Sequence, residues 1–166
     1  MDVVSRKDIE AAASRINGRV RRTPVIQLEE AAFGIDAEIF LKLELFQHTG
    51  SFKPRGAFNR ILSADVPRAG VITASGGNHG QAVAYASKVL GIDAEIFVPE
   101  GSPSLKAERI RRHGAALTVT GQYYDDAMDA CRARAMETGA LLIHPYDHPD
   151  VVAGQGSVGR EMEDQL

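Results

Sequence analysis

Short apolar segments alternate with longer helical patterns through residues 70–143, and this rhythm constrains the fold more than any other feature. The apolar segments are rich in Val, Ile, Leu and Ala and lie at 70–74, 94–99, 116–120 and 140–143. Helical patterns lie between them at 78–90, 104–113 and 123–138. Such alternation is typical of βαβ units. The sequence therefore predicts an α/β fold with three layers, an open, mostly parallel sheet and helices on both faces.

The flanking regions predict further elements. Ser5 is a plausible cap for a helix over 7–16, and a second helix is predicted from 52 or 53 to 62. Residues 22–25 are expected to be extended, because the residue before a proline avoids the helical region. A short helix is predicted at 28–33, a strand at 37–43 and a final helical segment at 157–165, which residues 151–156 lead into.

Composition and charge exclude several classes of protein. The 166 residues are 44% hydrophobic and 25% charged with a net charge of -3, which is typical of a soluble globular protein without a broad attraction to nucleic acid. The apolar runs are too short to span a membrane, and no metal site is expected. Cys131 is the single cysteine, so no internal disulfide can form and a cytoplasmic location is expected. Its place in a helical pattern favours a buried packing residue over a nucleophile.

A glycine-rich loop follows the first buried strand, with Ser75, Gly76 and Gly77 ahead of the helix that begins near Asn78. In a parallel sheet with right-handed crossovers, such loops share one edge, where ligands bind. Free backbone N–H groups at a helix start attract a phosphate or a carboxylate. The spacing matches no nucleotide-binding fingerprint. The alternative is a tight turn in which the Asn78 side chain caps the helix.

Lys53 stands between a Thr-Gly-Ser turn and an apolar helical pattern. The positive end of the helix and desolvation against Phe52 and Phe58 are both expected to lower the pKa of its amine. An amine of this kind suits Schiff-base chemistry. The alternative is an ordinary surface lysine in a first helical turn.

Three separated motifs resemble the serine/threonine dehydratase and serine racemase family, whose members are fold-type-II enzymes that use pyridoxal 5′-phosphate. Residues 49–57 (TGSFKPRGA) are similar to the segment that carries the cofactor lysine, and residues 75–82 (SGGNHGQA) to the substrate-carboxylate loop. Residues 153–161 (AGQGSVGRE) resemble a third segment, and Lys42-Leu43-Glu44 matches the strand that leads to the lysine. The resemblance runs from about residue 5 to the end of the chain.

The resemblance implies a role for each matching residue. Lys53 would hold the cofactor through a Schiff base and later act as general base, Phe52 would pack near the cofactor ring, and Asn78 would hydrogen-bond its phenolic oxygen. The substrate carboxylate would be cradled by Ser75, Gly76, Gly77, Asn78 and His79. The implied reaction is the α,β-elimination of L-threonine or L-serine to a 2-oxo acid and ammonia. Racemising members carry a serine at the position of Gly76, so elimination is expected to dominate.

The resemblance also implies a layout and a length. Residues 1–50 would be N-terminal elements of a large domain, 51–147 a small α/β domain, and 148–166 the start of the return into the large domain. Family members are roughly twice as long, so a fragment is expected. The helices near 7–16 and 157–165 would then expose apolar faces, which predicts a homo-oligomer or a complementing C-terminal half.

Two alternatives stay open at this point. One is a non-catalytic or truncated α/β module that keeps the cofactor lobe and binds a partner or free amino acids. The other is a different pyridoxal-phosphate enzyme acting on β-hydroxy amino acids by aldol cleavage or β-replacement.

Overall fold

The computed structural model describes residues 4–166. Its α-helices are α1 (Arg6–Arg15), α2 (Lys53–Leu62), α3 (Asn78–Leu90), α4 (Ser104–Arg112), α5 (Tyr124–Thr138) and α6 (Pro149–Glu163). Its strands are β1 (Val25–Gln27), β2 (Phe40–Lys42), β3 (Val71–Ala74), β4 (Ala94–Val98), β5 (Ala116–Val119) and β6 (Leu141–Leu142). Short 3-10 turns occur between β1 and β2 and between β2 and α2.

The main sheet has four parallel strands in the order β5-β4-β3-β6. Successive residues of β3 point to opposite faces, as the two-residue period of a strand requires. Val71 packs with residues of α2, α3 and α4, whereas Ile72 packs with Ala127, Met128 and Cys131 of α5. Helices therefore cover both faces, and the predicted three-layer α/β fold is confirmed.

The N-terminal part lies beside this sheet. Helix α1 begins at a capping box in which Ser5 and Asp8 each accept a hydrogen bond from the other's backbone N–H. Strands β1 and β2 form a separate antiparallel pair in which Ile26 lies opposite Leu41. Helix α6 packs against α1 and α2, so it returns the chain to the N-terminal elements.

Three sequence predictions in the flanks were wrong. Residues 28–33 do not form a helix, because Ala31 and Phe33 adopt left-handed backbone conformations with φ of 57° and 58°, and only a 3-10 turn forms at Ala32–Gly34. The predicted strand 37–43 shortens to β2. Residues 151–156 are already part of α6, which begins at Pro149, a residue well suited to a first helical position.

The expected exposure of the apolar faces of the helices near 7–16 and 157–165 is found only in small part. Ala12 of α1 and Ile16 just after it are buried where α1 packs on α6 and α2, and in α6 Val151 and Ala153 are buried while Val152 is exposed. Large exposed apolar side chains also occur in the segment around β1 and β2: Ile26, Phe33, Ile35, Leu41, Leu45 and Phe46.

Several smaller features bear on the compositional expectations. Within residues 4–166, no helix is both long and apolar enough to cross a membrane, and no cluster of three or more His, Cys, Asp or Glu residues is suited to a metal ion. Cys131 is fully buried, and burial raises the pKa of its thiol to about 12. This agrees with a packing role. Arg109, Arg111 and Arg112 lie on an exposed helix face.

Candidate active site

Lys53 is the first residue of α2, and its side chain reaches the carboxyl edge of the main sheet. Its Nζ donates a hydrogen bond of 2.8 Å to the carbonyl of Pro145, in the loop after β6. Strand β6 pairs in parallel with β3, whose following loop contains Ser75, Gly76 and Gly77. The lysine and the glycine-rich loop therefore share one edge of the sheet, although they come from different βα connections.

Burial of the amine acts against its charged form. It lowers the pKa of Lys53 below its ordinary value, and no carboxylate among residues 4–166 forms an ion pair with it. The centre of the Phe52 ring lies 5.2 Å from Nζ, and this cation–π contact acts in the opposite direction, as does the hydrogen bond to Pro145. Desolvation is thus the cause of the shift that the sequence predicted.

The loop at 75–77 presents backbone groups rather than side chains. Ser75 N donates to the carbonyl of Phe97 and so continues the sheet, while Gly77 N donates to Ser75 Oγ at 3.2 Å. A Cβ at Gly76 would lie 2.5 Å from Ser102 Oγ, so the loop packs closely against the connection after β4. The two glycines keep the approach to the start of α3 free of side chains.

Asn78 does not cap α3, which corrects the alternative considered from the sequence. Gly77 occupies the N-cap position, no side chain hydrogen-bonds to the first turn, and Asn78 is the exposed first helical residue. The first-turn N–H groups of a helix have no intrahelical partner. They are therefore available to an anion, and the Asn78 amide is available to a ligand.

His79 turns its ring away from the loop and leaves its backbone at the start of α3. Its ring is buried, and Nε2 lies 3.1 Å from the carbonyl of Ile143, the residue that precedes the loop containing Pro145. Burial is the main cause that lowers the pKa of His79 to about 4; the hydrogen bond to Ile143 opposes it, and the nearby charges of Lys53 and His144 add to it. The ring is therefore neutral, and only the His79 backbone can contribute to the cradle.

The structure adds two features that sequence reasoning missed. One is the Pro145 carbonyl, which holds the amine of Lys53. The other is a buried ion-pair cluster in which Arg55 contacts Glu44 and Glu161. A signal for the second was present, because Arg55 stands among apolar residues of α2 where a charge requires a buried partner.

These residues fit the reactive end of pyridoxal phosphate. A lysine amine with a lowered pKa is the group that joins an aldehyde, and the start of α3 offers N–H groups to a carboxylate. Two buried hydroxyl oxygens just ahead of the lysine, Thr49 Oγ1 and Ser51 Oγ, have no hydrogen-bond partner within residues 4–166. Buried polar atoms of this kind usually have a partner, and a polar ligand can supply one.

Sequence and structure comparisons find similar proteins among threonine dehydratases and serine racemases. The catabolic L-threonine dehydratase TdcB of Staphylococcus aureus is 41% identical over 167 aligned residues, which cover 99% of this chain and 48% of the relative. The structure of maize serine racemase superposes with a TM-score of 0.90 at 36% identity, covering 96% of this chain and 49% of the other. The threonine deaminase of T.th. superposes with a TM-score of 0.88 at 40% identity, covering 97% and 51%.

The matches identify the family of this chain and show how much of its relatives the chain covers. The chain spans about half the length of the relatives it matches. The profile of the family described as pyridoxal-phosphate dependent enzyme matches residues 16–166, which is most of this chain. This protein therefore belongs to the family of pyridoxal-phosphate dependent enzymes.

Proposed function

We propose that this chain is the lysine-bearing part of an ammonia-lyase that converts L-threonine or L-serine into a 2-oxo acid and ammonia. The observation that carries the proposal is the half-buried amine of Lys53, without a carboxylate partner in the described residues, at the same sheet edge as the loop 75–77. The threonine dehydratase and threonine deaminase names of the relatives support the substrate class.

The proposed roles of the residues are those that the family resemblance implies, and their positions support them. Lys53 would hold the cofactor by a covalent link from its amine, Phe52 would pack near the cofactor ring, and Asn78 would donate a hydrogen bond to the phenolic oxygen. The loop of Ser75, Gly76, Gly77, Asn78 and His79 would bind the substrate carboxylate, largely through backbone N–H groups at the open start of α3, because the Ser75 N–H already donates to the carbonyl of Phe97. When bound, pyridoxal phosphate supplies an electron sink for negative charge at the substrate Cα.

Lys53 would also move the proton. Because its pKa is lowered by burial, a larger fraction of the amine is unprotonated near neutral pH than for an exposed lysine. Once released from the cofactor, the amine would take the proton from the substrate Cα. Gly76 offers no side-chain acid at the loop, which supports elimination over racemisation.

The layout, assembly and location are parts of the same proposal. Residues 1–50 and 148–166 would belong to a large domain and 51–147 to a small domain; the packing of α6 on α1 supports the first grouping, and α2, which also packs on α6, would join the two domains. A second copy or a complementing C-terminal half would complete the fold, supported by the exposed apolar side chains around β1 and β2. The free, buried Cys131 supports a cytoplasmic location.

The test separates binding from turnover. The purified chain is mixed with pyridoxal phosphate, and the visible absorption band of the lysine-bound cofactor is measured for the wild type, Lys53→Ala and the matched control Lys88→Ala on the exposed face of α3. Borohydride reduction followed by peptide mass spectrometry then identifies the labelled lysine. We expect a band and label at Lys53 in the wild type and the control, and neither in Lys53→Ala.

Product analysis with L-threonine and L-serine identifies the reaction. Oxo-acid and ammonia release, by the chain alone or after addition of the C-terminal half of the Staphylococcus aureus relative, supports the lyase. Glycine plus acetaldehyde would indicate aldol cleavage instead. A wild type without band or label under both conditions would contradict the proposal and favour a non-catalytic module.

A further inference from the structure

Arg55 is fully buried two residues after Lys53, and its guanidinium lies between two carboxylates. Its side chain is 1% exposed. Nε and Nη2 donate to the Glu44 carboxylate at 2.9 and 2.7 Å, and Nη1 and Nη2 donate to Glu161 at 3.0 and 3.2 Å. This is the forked geometry that a guanidinium offers and an ammonium does not.

The carboxylates are in turn held by other segments. Lys42 Nζ donates to Glu161 Oε1 at 2.6 Å and to the carbonyl of Thr23 at 2.7 Å. Thr23 donates from its backbone N–H to Glu161 and from its hydroxyl to Glu44. The two cations and two carboxylates balance in formal charge, so removing one member leaves a buried charge unpaired. The cluster thereby joins β2, the start of α2 and the end of α6.

The start of α2 is held by contacts with other segments rather than by a cap of its own. Phe52 occupies the N-cap position without a side-chain cap bond, Pro54 has no N–H, and the Gly56 N–H donates to Gln155 Oε1 of α6 at 3.2 Å. The segment ahead of α2 includes Thr49 in a left-handed conformation with φ of 61°. That backbone region is strained for a β-branched residue and persists only where surrounding contacts hold it. Arg55 is the charged first-turn side chain, and it ties this end of the helix to Glu44 after β2 and, together with the Gly56–Gln155 bond, to α6.

We propose that Arg55 is a positioning residue for Lys53: its fork to Glu44 and Glu161 fixes the first turn of α2 and so holds the lysine amine against the Pro145 carbonyl. The proposal rests on the proposed function only in taking Lys53 as the cofactor lysine. The alternative is a purely structural ion-pair cluster that contributes stability but has no effect on the amine.

The experiment measures the reactivity of the Lys53 amine and the pH at which it titrates. The folded chain without cofactor is acylated with limiting reagent over a range of pH, and peptide mass spectrometry yields the rate and titration midpoint at Lys53. Exposed Lys88 and Lys106 are internal references. The variants are Arg55→Lys, which keeps the charge and loses the fork, and Glu44→Gln, which keeps an acceptor oxygen for Arg55 but removes one carboxylate charge. The matched control is Arg60→Lys, on the same helix and paired with Asp150 at 3.5 Å.

We expect a raised midpoint at Lys53 in Arg55→Lys and a smaller rise in Glu44→Gln, because a loosened first turn returns the amine to water. Each unit of rise lowers the unprotonated fraction at neutral pH about tenfold. The wild type and Arg60→Lys should share one midpoint, and the reference lysines should not change. Loss of stability alone would affect all lysines alike.

The outcomes separate the two proposals. Folded Arg55→Lys with an unchanged Lys53 midpoint would overturn the positioning role and leave the proposed function intact. If Arg55→Lys does not fold, Glu44→Gln decides, and an unchanged midpoint there has the same meaning. A wild-type Lys53 that titrates like the reference lysines and acquires no cofactor band would count against the proposed function itself.

Discussion

Helices α2 and α6 cross at a contact between glycines, and enlarging one of them should destabilise the protein measurably. A Cβ at Gly154 of α6 would lie 2.6 Å from the Arg55 carbonyl oxygen, 2.7 Å from Gly56 Cα and 2.8 Å from Asn59 Cβ. Two of these atoms are backbone and cannot rotate away. Gly154→Ala therefore requires the helices to separate.

The magnitude follows from two opposing effects. Overpacking of a tight contact costs up to about 3 kcal/mol, whereas replacing a helical glycine by alanine contributes about 1 kcal/mol. The net loss for Gly154→Ala is about 2 kcal/mol. Gly159, on the same helix, has no atom within 4 Å of its ideal Cβ. Gly159→Ala should therefore stabilise the protein by about 1 kcal/mol through propensity alone.

The two variants form a matched pair for urea unfolding followed by circular dichroism. Their free energies of unfolding should differ by about 3 kcal/mol, and their melting temperatures by roughly 6 to 12 °C for a chain of this size. An unchanged m value would show that the native and unfolded states remain comparable. If Gly154→Ala is as stable as Gly159→Ala, the close helix contact does not exist as described and the reasoning fails.

Three further predictions concern buried ionisable groups. Burial lowers the pKa of His79 from its ordinary 6.5 to about 4, so the unfolded chain takes up a proton at this residue at a higher pH than the folded chain does. The free energy of unfolding should therefore fall as the pH drops from 6.5 towards 4, by about 3 kcal/mol more in the wild type than in His79→Gln. Cys131, whose pKa burial raises to about 12, should react with a thiol reagent only after urea unfolds the chain, and fast labelling of the native protein would contradict its burial. Burial raises the pKa of Glu161, but hydrogen bonds from Arg55 and Lys42 outweigh burial and lower the pKa below 4.5. Glu161→Gln should therefore lower the free energy of unfolding by about 3 kcal/mol at neutral pH, and its difference from the wild type should shrink as the pH falls below 4.5. The exposed control Glu163→Gln should change the free energy of unfolding little.

The sequence was sufficient for the main sheet and its helices because their signals are local. The helices predicted at 78–90 and 123–138 agree with the structure to within a residue at each end, and both end at glycines with φ of 68° and 74°. Periodicity failed in the segment 28–43. There, Ala31 and Phe33 adopt left-handed backbone conformations that interrupt the predicted helix, and the pattern of apolar residues does not indicate them.

The candidate site was predictable in its members but not in all of its contacts. Lys53 and the loop 75–77 were identified from residue types and resemblance. The burial of the His79 ring was not, because its direction depends on Ile143 after β6, and the absence of an Asn78 cap was not, because the helix begins at Asn78 itself. Arg55 and Glu161 stood within recognised motifs, yet their pairing joins residues that are 106 positions apart in the chain.

The sequence by itself therefore determined the alternation of strands and helices, the shared edge of the parallel sheet and the lysine placed ahead of a helix. The alternation and the place of the lysine depend on neighbours within a few residues, whose backbone preferences act locally, and the shared edge follows from the alternation because crossovers between parallel strands are right-handed. Tertiary structure alone decided that the Lys53 amine meets the Pro145 carbonyl and that Arg55 lies between Glu44 and Glu161. Those contacts depend on desolvation and on the distance between packed helices, which only the folded chain sets.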